Sequence, residues 1–133
     1  MPKNLKDMTS DDLKHLKSDP DGLLTYEYIA NHIEECDADL PVLIENIITV
    51  DRTGQFTASA ARYLEAIDPA KYGAYVRQLA AAVIDKDRDH AFLPGLVQAL
   101  YGADYLERAE DLAQADDIFR RIYKRLYPNP EGL

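Results

Sequence analysis

Residues 40–68, LPVLIENIITVDRTGQFTASAARYLEAID, constrain the fold more than any other stretch. Leu40, Leu43, Ile44, Ile47 and Ile48 recur at intervals of three and four, which places them on one face of a helix. Asp39 stands before the run as an N-cap, and Pro41 falls in the first turn, where a missing N–H costs little. Asp51-Arg52-Thr53-Gly54 interrupts the spacing. From Thr53 or Gly54 a second helix begins, with Phe56, Ala60, Tyr63, Leu64 and Ile67 as its stripe. Asp68-Pro69 closes it and opens the next, because proline disfavours the α conformation in the residue before it.

The pattern returns 36 residues later, from Asp51 to Asp87. Leu43 falls on Leu79, Ile47 on Val83, Ile48 on Ile84, Arg52 on Arg88, Phe56 on Phe92 and Leu64 on Leu100. A second shift keeps Leu79 on Ala115 and Val83 on Phe119 but loses the polar turn. Two helices per unit at such a period mark a stacked helical array. The segment resembles a HEAT-type repeat in its Leu-Pro near the first helix, its turn Asp and its Ala-Ala…Leu face on the second. This resemblance spans about residues 40–100. It implies an all-α, right-handed stack of antiparallel helix pairs, about seven helices in all. One departure is that the Arg such repeats often carry six residues after the turn Asp is here Thr57 and Leu93.

The remaining chain fits that scheme. A short helix is expected over residues 9–17, capped by Thr9 or Ser10, and a longer one from Gly22 to about Cys36, with Leu23, Tyr26, Ala30 and Ile33 inward. Residues 69–84 form the most apolar helix and should be central, with Gly73 marking close backbone packing. Pro94 belongs in the first turn of a helix starting near His90 or Ala91 and ending at Gly102. Asp104 and Glu107 have capping-box spacing. Residues 104–127 read equally as one helix or as two divided at Ala115-Asp116-Asp117. No strand is expected.

At 133 residues the chain suffices for one domain with its own core, ordered from about 8 to 127 with flexible termini. It has no run of about 20 apolar residues and no apolar core behind its first lysines, so neither a membrane span nor a secretory signal is expected. The single Cys36 leaves no internal disulfide, and a reducing cytoplasm suits it. A net charge of −9 opposes binding to phosphate backbones. Asp19, Asp39, Asp68 and Asp104 account for part of it as helix caps.

Constellations that carry chemistry are sparse. The alternating aspartates of 85–90 fail as a calcium loop, because His90 and Leu96 stand where Gly and a bidentate Glu are needed. His32 and Cys36 share a helix face but have no clear third ligand. No nucleophile elbow, H-E-x-x-H or phosphate loop occurs. Catalysis, metals and cofactors are therefore not expected.

Two features point to protein recognition. Asp51-Arg52 and Asp87-Arg88 should lie side by side as a row of alternating charge, or else serve as structural caps. Nine tyrosines against three phenylalanines and no tryptophan suit an interface, with Tyr101 and Tyr105 at the helix junctions as candidates. Arg120, Arg121, Lys124 and Arg125 form a basic cluster best explained by pairing with acids such as Asp116 and Asp117. The expected role is a non-catalytic protein-protein interaction module with a protein partner, not nucleic acid or membrane. One alternative is an acidic immunity or antitoxin protein masking a basic toxin. The other is an enzyme or nucleic-acid module on a helical-repeat scaffold.

Overall fold

The computed structural model describes residues 9–128. Among these residues every regular element is helical. The helices are α1 (Ser10–Lys17), α2 (Leu23–Asn31), α3 (Leu40–Val50), α4 (Gln55–Ile67), α5 (Pro69–Lys86), α6 (Leu93–Tyr101), α7 (Ala109–Ala115) and α8 (Asp117–Leu126). Short 3-10 turns at Asp37–Asp39 and Tyr105–Arg108 precede α3 and α7. The described helices thus number eight rather than about seven. The termini expected to be flexible lie almost wholly outside the described residues.

Most of the apolar spacing read from the sequence is buried, but Leu23, expected inward, and Ile67, expected on the α4 stripe, are exposed at 40% and 44%, and α2 buries Thr25 and Ile29 instead. Leu40, Leu43, Ile44 and Ile47 of α3, Leu64 of α4, and Leu79, Ala80, Val83 and Ile84 of α5 belong to one core that runs from Leu16 to Ile122. Two rows of contact organise the helices: α2 touches α4, α4 touches α6 and α6 touches α8, while α1 touches α3 and α3 touches α5. The most extensive contact is between α4 and α5, which only Asp68 separates. Asp68 breaks the helix between them with extended backbone (φ −165°, ψ 91°), and its side chain accepts from the Lys71 N–H to cap α5. Helices joined by the Asp51 and Asp87 turns touch far less.

Several boundaries differ from expectation. α2 stops at Asn31, short of Cys36, where the His32 ring meets the Tyr28 carbonyl at 2.8 Å and stacks on the Tyr28 ring. Glu34 then takes a left-handed φ of 74°, and the redirected chain still delivers Cys36 into the core. α6 starts at Leu93 rather than near His90 or Ala91: His90 takes a left-handed φ of 56°, the next three N–H groups donate to the Asp87 carboxylate, and Pro94 falls in the first turn, where its missing N–H costs little. Neither Asp39 nor Asp104 makes a cap hydrogen bond; Asp104 pairs with Arg108 instead, and no capping box with Glu107 forms. Asp116 divides the C-terminal region, ending α7 and capping α8 through the Phe119 N–H. Gly73 is not a close approach: a Cβ built there meets nothing within 4 Å.

Candidate functional site

The α1–α2 and α3–α4 turns are built by one device. Asp51 Oδ1 accepts from the backbone N–H groups of Thr53 and Gly54, and its Oδ2 accepts from both the N–H and the hydroxyl of Thr57 at 2.8 Å. Asp19 repeats this atom for atom, with Asp21, Gly22 and Thr25 as donors. Gly22 and Gly54, three residues after each Asp, have φ of 103° and 93°, a region open to glycine and strained for other residues. The element is therefore D-x-x-G-x-x-T. The sequence carries it twice, as DPDGLLT and DRTGQFT, 32 residues apart. Reading Asp19 as a simple cap missed this signal.

Thr57 thus supplies both donors to Asp51 Oδ2 from within the turn. In the third turn Leu93 takes the Thr position and enters the core. Asp87 compensates with three backbone donors, Ala91 to Oδ1 and Phe92 and Leu93 to Oδ2. His90 occupies the glycine position and keeps the left-handed φ, at 56°.

These turns lie against one another. A Cβ on Gly22 would stand 3.1 Å from Asp51 Cβ, and one on Gly54 would stand 3.5 Å from Lys86 Cβ. Lys86 Nζ donates to the Asp51 carbonyl at 2.6 Å, tying the second turn to the third. The Asp51 and Asp87 turns flank a cleft of about 380 Å³ whose walls include Arg52, Thr53, Arg88 and Phe92. The two aspartates are buried, and their oxygens are occupied by the turns. Arg52 and Arg88 are exposed. Only the cations of the sequence-derived charge row face outward.

The tyrosine candidates are used internally. Tyr101 donates to Asp116 Oδ2 at 3.0 Å and packs edge-on against Phe119. Burial, with Asp116 alongside, raises its pKa. Tyr105 is only 6% exposed and shares a 2.9 Å hydrogen bond with the Tyr127 hydroxyl. Burial and that bond push its pKa up to about 12. Tyr72 is buried and donates to Asp37, which also pairs with Lys71. These rings lock helices together, with Tyr101, Tyr105 and Phe119 joining α6, the 3-10 turn and α8.

The C-terminal basic cluster is engaged only in part, through Arg120 and Arg121. Arg120 pairs with Asp117, Arg121 with Asp85 and Arg77 with Asp116. Burial pushes the Cys36 thiol up to about 11, out of the range of a reactive thiolate. Among the described residues no group of three or more His, Cys, Asp or Glu side chains is placed to hold a metal ion. No helix among them is long and apolar enough to cross a membrane.

A longer groove leads away from the turn cleft. The cleft shares Ala91 and Phe92 with a smaller depression of about 250 Å³ between α4 and α6, the waist of the groove. The waist shares Ser59 and Arg62 with a wider depression of about 650 Å³ that reaches Tyr26 of α2, Tyr63 of α4 and Ala99 of α6. At the waist the Arg62 guanidinium crosses toward α6, 3.7 Å from where a Gly95 Cβ would lie.

In comparisons with known proteins, no family model, curated protein or solved structure matches the chain. The fold and these surfaces define it only as an all-α protein of Asp-turn-linked helices.

Proposed function

We propose that this chain is a non-catalytic protein-recognition module built on a HEAT-like helical array, and that the turn edge carrying Arg52 and Arg88 contacts its partner protein. The observation that carries this reading is the division of labour within the turns. Asp51 and Asp87 are buried to shape the backbone, while the adjacent arginines stand in solvent over one cleft. A merely structural turn has no need of that arginine: the Asp19 turn closes with Pro20 in its place, whereas Arg52 and Arg88 follow Asp51 and Asp87. Asp51, Asp87, Tyr101 and Tyr105 then hold the scaffold that presents the edge.

The test is affinity capture from the native cell extract with the wild-type chain and with Arg52→Glu/Arg88→Glu, alongside far-UV circular dichroism of both. Loss of the captured partner with unchanged helicity is the expected result. Equal capture by both forms would remove the turn edge as the contact. Equal capture of a strongly basic partner would move recognition to an acidic face, as the immunity reading requires.

A further inference from the structure

The arginines of this chain fall into two sets. Arg77, Arg108, Arg120 and Arg121 each hold a carboxylate, on Asp116, Asp104, Asp117 and Asp85. The side chains of Arg52, Arg62, Arg88 and Arg125 have neither an ion pair nor a hydrogen bond among the described residues. Acidic residues outnumber lysine and arginine by 24 to 15, so carboxylates are not scarce. Three of the four unengaged arginines nevertheless line one continuous groove.

That groove has the shape of a peptide track. Arg52 and Arg88 stand at its turn-edge end and Arg62 at its waist, over a floor that includes Ala58 and Gly95. The far end holds Tyr26 and Tyr63, packed edge to face at 6.4 Å. From Gln55 to Ala66 the helical wall rises about 16 Å, which about five extended residues match. The carboxylates that also line the groove are Glu65 at the wide end, Asp89 at the rim and Asp87, whose oxygens are taken up inside its turn.

We propose that this groove binds an extended acidic segment of a partner protein, its carboxylates set on Arg62, Arg52 and Arg88 and one aromatic or aliphatic side chain against the Tyr26–Tyr63 pair. The inference rests on the reading of the chain as a protein-binding module and specifies the chemistry of its partner. Guanidinium groups match carboxylates in a bidentate fork, and left unpaired on an acidic protein they form its local attraction for an acidic ligand. A long nucleic acid would meet the repulsion of the whole −9 charge beyond the groove, whereas a short acidic segment stays within it.

The experiment pans a displayed library of random 12-residue peptides on the full chain, then measures the enriched peptides by fluorescence anisotropy. Enrichment of net-negative peptides containing an aromatic or aliphatic residue is expected. Their affinity should fall at least tenfold in Arg62→Glu and in Ala99→Trp, which fills the wide end. It should also fall between 0.1 and 1 M salt, as screening shortens from about 10 to about 3 Å. Arg62 is exposed and has no partner among the described residues, so its reversal leaves the fold intact should Ala99→Trp disturb it. No enrichment, a neutral or basic enriched set, or affinity indifferent to Arg62→Glu would overturn the proposal. So would tighter binding of the oligonucleotide dT12, or self-association abolished by Arg62→Glu, which would make a second copy the occupant. If the cellular partner is still lost in Arg52→Glu/Arg88→Glu while no acidic peptide binds, the turn-edge reading stands and this inference alone falls.

Discussion

Thr57 places two donors on Asp51 Oδ2, its own N–H and its hydroxyl, and both are buried with the carboxylate. Removing the hydroxyl while keeping the shape leaves a buried charge short of a donor, at a cost of about 1–3 kcal/mol. Thr57→Val is therefore expected to lower the urea midpoint without altering helicity. Thr25→Val should cost more, because the Thr25 hydroxyl both donates to Asp19 and accepts from Asn46 Nδ2 at 3.0 Å. Asn46 also donates to the Leu16 carbonyl, so the network joins α1, α2 and α3. An equal loss in the two variants would show that the Asn46 link is dispensable. The turn aspartates themselves were legible in the sequence as aspartates at helix starts. Their sharing of a threonine six residues on was also written there, although nothing in periodicity alone shows that the hydroxyl turns inward.

Glycines separate two meanings at the level of the elements. Gly22 combines a φ of 103° with Asp51 Cβ and Phe56 Cβ at 3.1 and 3.2 Å from an added Cβ. Gly54 has the same handedness, at φ 93°, but only ordinary contacts near 3.5 Å. Gly73 sits inside α5 with open space around it. The expected order follows: Gly22→Ala destabilises most, Gly54→Ala by about 1–2 kcal/mol from conformation alone, and Gly73→Ala stabilises by up to about 1 kcal/mol. Denaturant midpoints of the three variants check the order; a destabilised Gly73→Ala would mean that the helix needs its flexibility. Element positions were largely readable because buried stripes impose their 3.6-residue period. The end of α2 was not, since it depends on the His32 ring meeting a carbonyl and on a left-handed Glu34.

Across the whole molecule, acid stability sums groups of opposite sign. Burial works to raise the Asp19 pKa, but bonds from Thr25, Gly22 and Asp21 outweigh it and hold the group below its ordinary 3.8. At Asp116, burial is likewise outweighed, by Phe119, Arg77 and Tyr101. Carboxylates lowered in the native state stabilise fully above their unfolded pKa and lose that contribution as pH falls through the lower folded value. Glu65 runs the other way: burial raises it above 4.5, so protonating it on acidification favours the fold. Stability measured by urea denaturation from pH 7 to 2.5 should therefore hold or rise slightly toward pH 4.5 and drop below pH 4. Glu65→Gln should flatten the upper part of that profile, and Asp19→Asn should shrink the acid drop while lowering stability at neutral pH. An unchanged acid limb in Asp19→Asn would remove that carboxylate from the account.

By itself the sequence determined that the chain is helical, where most helices begin and end, and which side chains are apolar enough to be buried. Those are local properties, set by a short period, by proline and glycine, and by capping chemistry within a few residues. Only the tertiary structure decided that α4 pairs most extensively with α5 across Asp68 rather than with α3 across Asp51, because that choice depends on how facing surfaces fit. It also decided which half of each Asp-Arg turn faces water: the carboxylates accept from donors within six residues and are buried, whereas the guanidinium groups meet no acceptor among the described residues and stay exposed.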